Sequence, residues 1–482
     1  MNKKKIALGI VGVGLVAYFG TVYMVNQDDK KVAQQNLTQF SSLDQSTLDY
    51  QAMKVLADKG CGYCHTPNSE MPFYSEMPVA KQIMEADVKV AMRHFDMTNL
   101  FDDVKQSNPV SEVALARLEK VLYDDSMPPA IYLTMHWSAS MSKDEKHTLL
   151  KWIREKRSER HAQSPVSEER KGKVLQPIYT TFETDVDKAE LGKVLYHDTR
   201  LSGDNSVSCA SCHSLDTGGV DRLVTSVGIH GQVGGINAPT VFNAVYNKLQ
   251  FWDGRAADLQ DQAGGPPFNP IEMGSVDWDE IVDKLSQDPE MVAMFKKVYS
   301  GNINGNNITD AIAEFEKTLT TPNSRFDQYL MGNTDALDSH EKYGLMLFKK
   351  YDCQTCHAGE AMGGETFETM GMKADYFADR GTEMTDADLG RYNFTGNKED
   401  KHKFKVPTLR NIELTPPYFH DGHADTLNKA IYDMGKYQVG VEMSEQEVDA
   451  IKAFLKTLTG DYEVPPIELS LSNMPKRIFD KR

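Results

Sequence analysis

The longest apolar stretch of the chain lies at its amino terminus. Lys3, Lys4 and Lys5 precede an uncharged, mostly apolar run from Ile6 to Val25. At about 1.5 Å per residue, a helix over this run would cross a bilayer core of roughly 30 Å. A cleaved signal peptide would have a shorter apolar core and a small-x-small cleavage site. We therefore expect one retained transmembrane helix in the inner membrane, with the rest of the chain in the periplasm.

Amphipathic helices recur in three similar sets along the remaining sequence. The stretches that favour a helix early in each set are Thr47–Leu56, Lys188–Tyr196 and His340–Lys350, and the closing helices centre on Leu149–Ile153, Ile312–Leu319 and Val448–Leu458. Two closing helices begin with a capping box, at Ser142 with Glu145 and at Ser444 with Glu447. Alternation typical of strands is scarce, so the pattern predicts an all-α fold.

Each set also contains one Cys-x-x-Cys-His motif, and the three motifs use all six cysteines. They are Cys61-Gly-Tyr-Cys64-His65, Cys209-Ala-Ser-Cys212-His213 and Cys353-Gln-Thr-Cys356-His357. A c-type haem needs two thiols at this spacing for its thioether bonds and the adjacent imidazole for its iron. A zinc site would need two Cys-x-x-Cys pairs close together, and redox chemistry does not require the histidine. The motifs predict three covalent haems, in three cytochrome c-like domains after the transmembrane helix.

Charge and linkers complete this outline. A net charge of −17 argues against nucleic acid as a partner and leaves room for a basic electron-donor protein. The charged run 154–173 predicts a domain boundary. The predicted domains are, in order, 1–28 (anchor), 29–165 (monohaem cytochrome c), 166–335 (second haem) and 336–482 (third haem), whose tail from Val464 has no haem-ligand pattern.

Longer motifs follow the second and third Cys-x-x-Cys-His sequences. They are Gly218-Gly-Val-Asp221, Asn237-Ala-Pro-Thr240, Phe251-Trp-Asp-Gly-Arg255, Pro270-Ile-Glu-Met273 and Thr415-Pro-Pro-Tyr-Phe-His-Asp-Gly422. In this order, over roughly residues 175 to 465, they strongly resemble the bacterial di-haem cytochrome c peroxidase family. With the amino-terminal haem domain and anchor, the chain looks like the tri-haem, membrane-bound quinol peroxidases of that family.

The resemblance implies an activity and its partners. Hydrogen peroxide would be reduced to water with electrons that quinol gives to the first haem. A soluble cytochrome c or cupredoxin is the alternative donor. A multihaem electron conduit is the alternative without catalysis, and it would have three tightly six-coordinate irons that are inert to peroxide.

The resemblance also assigns haem ligands and a bridge between haems. The haem on Cys209 would react with peroxide, with His230 as its removable distal ligand. The haem on Cys353 would transfer electrons, with Met434 as its sixth ligand. A relative that oxidises a protein substrate has Tyr in place of this Met, and Tyr432 stands two residues away. Trp252 matches the tryptophan between the two haems, although an aromatic pair is also ordinary core packing.

Further roles follow from the same resemblance. Glu272 would carry protons between the oxygen atoms of peroxide, since a single carboxylate can accept a proton and return it. Gln262 would orient peroxide, unless it is only a surface amide. Arg255 would pair with a haem propionate or form a surface salt bridge. An inter-domain calcium site would use three residues, Asn237, Thr415 and Pro417.

The family motifs do not cover the first haem, so its second ligand must be sought in the local sequence. Ser126-Met127-Pro128-Pro129 looks like the distal-ligand loop of small monohaem cytochromes, where prolines stiffen the backbone that carries the sulfur. We expect Met127 to be the ligand. Spacing leaves three alternatives open: Met77, His94 and Met135.

Overall fold

The chain folds into two compact units. A computed structural model describes residues 3–67 and 69–462, with backbone only for residues 3–11, so the tail that begins at Val464 lies outside the described residues. One unit comprises Met1–Ala162 with Glu168–Val174, and the other comprises Gln163–Ser167 with Leu175–Arg482. The Cys61 motif belongs to the first unit, and both other motifs belong to the second.

All regular secondary structure described in the first unit is helical. Its helices are α1 (Lys3–Leu37), α2 (Leu48–Asp58), α3 (Cys61–His65), α4 (Pro78–His94), α5 (Thr98–Gln106), α6 (Glu112–Asp124), α7 (Ala130–Leu133), α8 (Lys143–Arg160) and α9 (Glu168–Lys171). Apolar faces of α2, α5, α6 and α8 form the core, in which Leu56, Leu115 and Trp152 are fully buried. The predicted capping box at Ser142 and Glu145 begins α8 and is confirmed.

The predicted transmembrane anchor is wrong. Among the described residues, no helix is long and apolar enough to cross a membrane. Instead, the second half of the apolar run packs onto its own unit: Val22 and Val25 are buried, and the Tyr18 hydroxyl donates to the carbonyl of Thr134 at 2.6 Å. The helix then continues through charged residues to Leu37. The assignment to the inner membrane, which depended on this anchor, is overturned with it.

The second unit contains twelve described α-helices and one small hairpin. The helices are α10 (Val186–Tyr196), α11 (Cys209–Cys212), α12 (Leu259–Ala263), α13 (Trp278–Ser286), α14 (Pro289–Tyr299), α15 (Gly305–Lys317), α16 (Arg325–Leu330), α17 (Ser339–Lys350), α18 (Tyr376–Arg380), α19 (Tyr392–Thr395), α20 (Leu427–Met434) and α21 (Glu445–Lys456). The strands β1 (Phe367–Thr369) and β2 (Lys403–Lys405) pair antiparallel. The capping box at Ser444 and Glu447 is also confirmed.

One packing arrangement occurs twice in this unit. The helix before each haem motif crosses the closing helix of its half through a glycine: α10 meets α15 at Gly192, and α17 meets α21 at Gly344. A Cβ atom at Gly192 would lie 1.8 Å from the carbonyl oxygen of Ala311, and one at Gly344 would lie 1.9 Å from that of Ala450. Only a residue without a side chain allows the two backbones to approach this closely.

The predicted architecture therefore needs correction in both its parts. The chain does not form three haem domains after a transmembrane anchor, because it divides into two compact units and the second holds two haem motifs. The prediction of a mostly helical chain stands, with the short β1–β2 hairpin as its exception among the described residues.

Candidate active site

The three Cys-x-x-Cys-His sequences form short helical turns. Two lie in α3 and α11, and Cys353–Thr355 form a 3-10 turn. All six cysteines are half-buried, and none of them forms a disulfide. Burial raises the pKa of Cys61, Cys209 and Cys353 to about 12. Each turn thus presents two thiols at the spacing that thioether attachment of a c-type haem requires.

The histidines of the first and third motifs are prepared as ligands by a hydrogen bond at Nδ1. Nδ1 of His65 lies 2.7 Å from the carbonyl oxygen of Phe95, and Nδ1 of His357 lies 3.1 Å from that of Met362. Donation from Nδ1 leaves Nε2 as the free base of the ring, which is the atom that a metal binds. Burial lowers the pKa of both imidazoles and of His213, so all three stay neutral. These residues fit a c-type haem.

Glu272 lies beside the second haem motif. Its carboxyl group is half-buried, and its charge raises the pKa of the Cys212 thiol, which burial has already raised. Burial also raises the pKa of Glu272 itself, and the positive charge of Arg255 opposes this effect. A carboxyl group that is partly desolvated exchanges protons more readily near neutral pH than an exposed one does.

The backbone holds Glu272 against the loop of His230. The amide of Ile229 donates to the Glu272 carbonyl at 2.9 Å, and a Cβ atom at Gly228 would lie 1.9 Å from the carbonyl oxygen of Ile271. His230 itself has a side chain that is 67% exposed, with Nδ1 3.4 Å from a carboxylate oxygen of Asp204. The structure therefore brings the backbones of two predicted site residues together and directs the imidazole toward Asp204.

Arg255 and Gln262 follow on neighbouring segments. The Arg255 guanidinium stacks on the ring of Phe251 at 3.5 Å and lies 3.1 Å from a carboxylate oxygen of Asp253. It is half-exposed and so still accessible to a further anion. Gln262 lies in α12, where its amide donates to the Asp258 carbonyl at 3.0 Å and its side chain is half-buried.

Trp252 and Met434 belong to one aromatic cluster. Its buried members are Met370, Tyr376, Phe404 and Tyr437, and its half-buried members include Trp252, Phe419 and Met434. The indole Nε1 of Trp252 donates to the carbonyl of Asn237 at 2.9 Å. The Trp252 side chain therefore joins the segment after the second haem motif to the cluster that contains the Met434 sulfur. Tyr432 is exposed, unlike Met434.

The remaining predicted ligands lie on loops. Met127 lies between α6 and α7 and is 38% exposed. Asn237 is buried, with its amide bonded to the His420 carbonyl at 2.8 Å and its Nδ2 bonded to the Leu223 carbonyl at 2.8 Å. The hydroxyl of Thr415 donates to the carbonyl of Ile412, and Pro417 precedes the Tyr418 turn.

An ionic network that sequence reasoning missed anchors the Tyr-Phe-His-Asp-Gly motif. Arg380 donates to carboxylates of both Asp388 and Asp421 at 2.7 Å, and Nε2 of His420 lies 2.8 Å from Asp388. The His420 ring stacks on Phe404 at 3.9 Å. Asp388, His420 and Asp421 have the spacing of a metal site, but the Arg380 guanidinium already donates hydrogen bonds to both carboxylates. In the sequence, only the Tyr-Phe-His-Asp-Gly motif indicated that this region was important.

A carboxyl group held beside a haem attachment site is useful to an enzyme and not to a simple electron carrier, because proton transfer accompanies bond cleavage. The haem attachment motifs and the neighbouring Glu272 carboxyl group thus define a c-type haem enzyme. A family model described as "Di-haem cytochrome c peroxidase" matches residues 186–335, and one described as "Haem-binding domain" matches residues 17–155.

Individual relatives agree with the family models. The chain is 46% identical over 456 residues to the cytochrome c peroxidase Ccp of Escherichia coli K12, covering 95% of this chain and 97% of that protein. It is 47% identical over 307 residues to the cytochrome c551 peroxidase of Nitrosomonas europaea, covering 63% of this chain and 90% of that protein. A solved MauG-like protein associated with microbial copper homeostasis matches with a TM-score of 0.52 and 28% identity, covering 59% of this chain and 93% of that one. The chain belongs to the di-haem cytochrome c peroxidase family and is an oxidoreductase of that class.

Proposed function

We propose that the chain reduces hydrogen peroxide to water with two electrons, and that Glu272 carries the protons. The observation that supports this most directly is the half-buried carboxyl group of Glu272, whose backbone carbonyl accepts a hydrogen bond from the His230 loop. When bound, the haems would supply an iron atom that accepts peroxide and iron atoms that store the electrons.

The residues around Glu272 divide the remaining tasks. Glu272 would take a proton from one peroxide oxygen and return it to the departing oxygen, so that water leaves instead of hydroxide. Gln262 would hold peroxide by hydrogen bonds without adding charge. Arg255 would pair with a haem propionate. It contacts the Asp253 carboxylate, and its charge acts on Glu272. His230 would act as the removable ligand that leaves to admit peroxide.

Electron transfer within the second unit would use Trp252. Its indole bonds to Asn237 and its ring lies in the cluster of Met434, so it would link the two haem sites. Met434 would be the sixth ligand of the haem on Cys353, because it lies in this cluster whereas Tyr432 is exposed. A calcium ion held by Asn237, Thr415 and Pro417 would stabilise the neighbouring segments.

We extend the proposal to three haems, with electrons entering at the first. The "Haem-binding domain" match covers the Cys61 motif, and His65 has the Nδ1 bond that frees Nε2 for iron. Met127 would be its second ligand. Pyridine haemochrome absorbance measured against protein concentration tests the number. A ratio of two haems per chain would exclude the Cys61 motif as the point of electron entry.

Quinol is the electron donor in this proposal, and a soluble cytochrome c or cupredoxin is the alternative. Steady-state peroxide consumption, measured with decylubiquinol and with reduced cytochrome c, distinguishes the donors. Activity with cytochrome c alone would replace quinol by a protein donor. Activity with neither donor, nor with a small artificial donor, would favour the electron conduit over the peroxidase.

A further inference from the structure

A buried polar cluster in the first unit takes no part in the chemistry described above. Asp29 in α1 is 7% exposed, and its two carboxylate oxygens have different partners. The hydroxyl of Tyr74 donates to Oδ1 at 2.6 Å, and Nδ1 of His136 lies 2.8 Å from Oδ2. The ring of Tyr132 stacks on the His136 imidazole, with centroids 3.8 Å apart and planes within 4° of parallel. We call these four residues the Asp29–His136 cluster.

The cluster adjoins the first haem motif. The hydroxyl of Tyr132 lies 3.4 Å from the point that a Cβ atom at Gly60 would occupy, one residue before Cys61. Tyr132 also lies within the electrostatic field of the Cys61 and Cys64 thiols. Tyr63, inside the motif, donates to the backbone carbonyl of Asp29 at 3.4 Å. A molecule bound at the cluster would therefore lie close to the site of haem attachment.

Exposed aromatic side chains lie next to two residues of the cluster, Tyr74 and His136. Phe19, Phe73 and Trp137 are each about half exposed, at 51%, 52% and 51%. Phe73 contacts Tyr74 edge to face, and Phe19 contacts Trp137 in the same way, next to His136. Apolar surface around a few polar groups is typical of a small-molecule site, and here it suits a flat ring with polar substituents.

The hydrogen bond between His136 and Asp29 orients the imidazole to accept a proton. Asp29 holds Nδ1 and so leaves Nε2 as the basic atom of the ring. Nε2 takes part in no hydrogen bond among the described residues. Burial and the nearby Asp29 raise the pKa of Tyr74, so its hydroxyl keeps its proton and continues to donate to Asp29.

We propose that the Asp29–His136 cluster binds a hydroquinone and accepts its protons, an inference that rests on the proposed use of quinol as donor. The hydroquinone would lie between the aromatic side chains with one hydroxyl hydrogen-bonded to Nε2 of His136. The Asp29 carboxylate stabilises the imidazolium that forms.

Atoms and charges balance in this scheme. One hydroquinone loses two O–H protons and two electrons and leaves as quinone. Nε2 of His136 takes the protons in turn and releases each to solvent, while the electrons pass one at a time toward the site of Cys61, Cys64 and His65. Reduction of one hydrogen peroxide to two waters consumes two electrons and two protons, so one quinol supports one turnover.

Two substitutions test the proton acceptor in the full haem-loaded chain. For His136→Gln and Asp29→Asn, we expect the ratio of the decylubiquinol-driven rate to the tetramethylphenylenediamine-driven rate to fall about 100-fold, the usual value of a general base. The second donor loses an electron without an oxygen-bound proton. Asp49→Asn is the matched control, because Asp49 bonds to Trp152 and Lys156 away from the cluster, and this variant should keep the wild-type ratio.

Binding provides a readout without turnover. Calorimetric titration with oxidised decylubiquinone should show binding to the wild type and at least ten-fold weaker binding to Trp137→Ala. Unchanged ratios in both acceptor variants, or a fall with both donors to the same extent, would overturn the site and leave the peroxidase intact. A wild type that uses tetramethylphenylenediamine but neither binds nor oxidises the quinone pair would overturn the quinol donor as well. Inactivity with both donors would instead contradict the proposed peroxidase.

Discussion

At the scale of single residues, the carboxyl group of Glu272 provides the sharpest test of the chemistry. Glu272→Gln removes the proton carrier and keeps the shape of the side chain. We expect peroxide turnover to fall by about two to four orders of magnitude, as for other general acid–base residues. The exposed Glu290→Gln is the matched control and should retain turnover. Normal haem absorbance together with normal turnover in Glu272→Gln would mean that another group carries the proton.

Met434 is tested by its effect on a potential. Met434→His should retain a six-coordinate iron but lower the potential of one haem, because imidazole favours ferric iron more than a thioether does. The shift should be a visible fraction of the roughly 0.8 V over which axial ligands set haem potentials. Potentiometric titration followed by absorbance measures it, with Tyr432→Phe as the control. Three unchanged potentials would exclude Met434 as a ligand.

Glu316 makes stability depend on pH. It is buried in α15, and burial raises its pKa from 4.5 to about 8. Between these values the folded chain keeps the proton and the unfolded chain has lost it, so stability falls by about 1.4 kcal/mol per pH unit as pH rises through this window. Glu316→Gln should remove that slope between pH 5 and 8, as measured by urea unfolding. The slope should persist in Glu290→Gln.

The sequence predicted the chemical roles of residues better than it predicted where their side chains lie in the fold. The Cys-x-x-Cys-His motifs and the Trp252 and Glu272 motifs led directly to residues that the structure places near one another or near a thiol. The Asp29–His136 pair was not predictable, because its members are 107 residues apart and neither lies in a motif. The exposure of the His230 side chain was equally unpredictable, because the sequence around a histidine does not distinguish an iron ligand from a surface residue.

At the scale of elements, helical periodicity and capping chemistry predicted the early and closing helices of each set, which are α2, α8, α10, α15, α17 and α21. The stretches at 47–56, 188–196 and 340–350 correspond to α2, α10 and α17, within two residues at each end. The β1–β2 hairpin was missed, because strands of three residues are too short to show alternation. Hydrophobicity misled the prediction for α1, whose apolar residues partly serve packing within its unit.

The glycine crossings can be tested by adding one carbon atom. Gly192→Ala would place a Cβ atom 1.8 Å from the carbonyl oxygen of Ala311, so α10 and α15 must separate. We expect a loss of about 2 kcal/mol or more, as for other overpacked sites. Denaturant titration followed by circular dichroism measures it. Gly235→Ala is the control, since nothing lies within 4 Å of its added Cβ. Equal midpoints for both variants would contradict the close approach of these helices.

At the scale of the whole molecule, the two compact units suggest that electron input and peroxide chemistry can be separated. A chain that begins at Gln163 retains both haem motifs of the second unit and loses the Cys61 motif. We expect it to bind two haems and to consume peroxide with a small artificial donor, but to lose at least 90% of quinol oxidation, because the first haem and the Asp29–His136 cluster are absent. Quinol oxidation at the full rate would place the point of electron input in the second unit.

The repeated glycine crossing has a consequence for how the holoprotein matures. Both contacts are made by atoms of the polypeptide alone: the backbone of Ala311 with Cβ of Phe315 at one crossing, and the backbone of Ala450 with Cβ of Phe454 at the other. We therefore expect each half of the second unit to bring its two crossing helices together through its own polypeptide, and so to present its own pair of thiols for haem attachment. Two such helix crossings within one unit are what duplication of a single-haem cytochrome would produce. Each copy would then acquire its haem independently of the other.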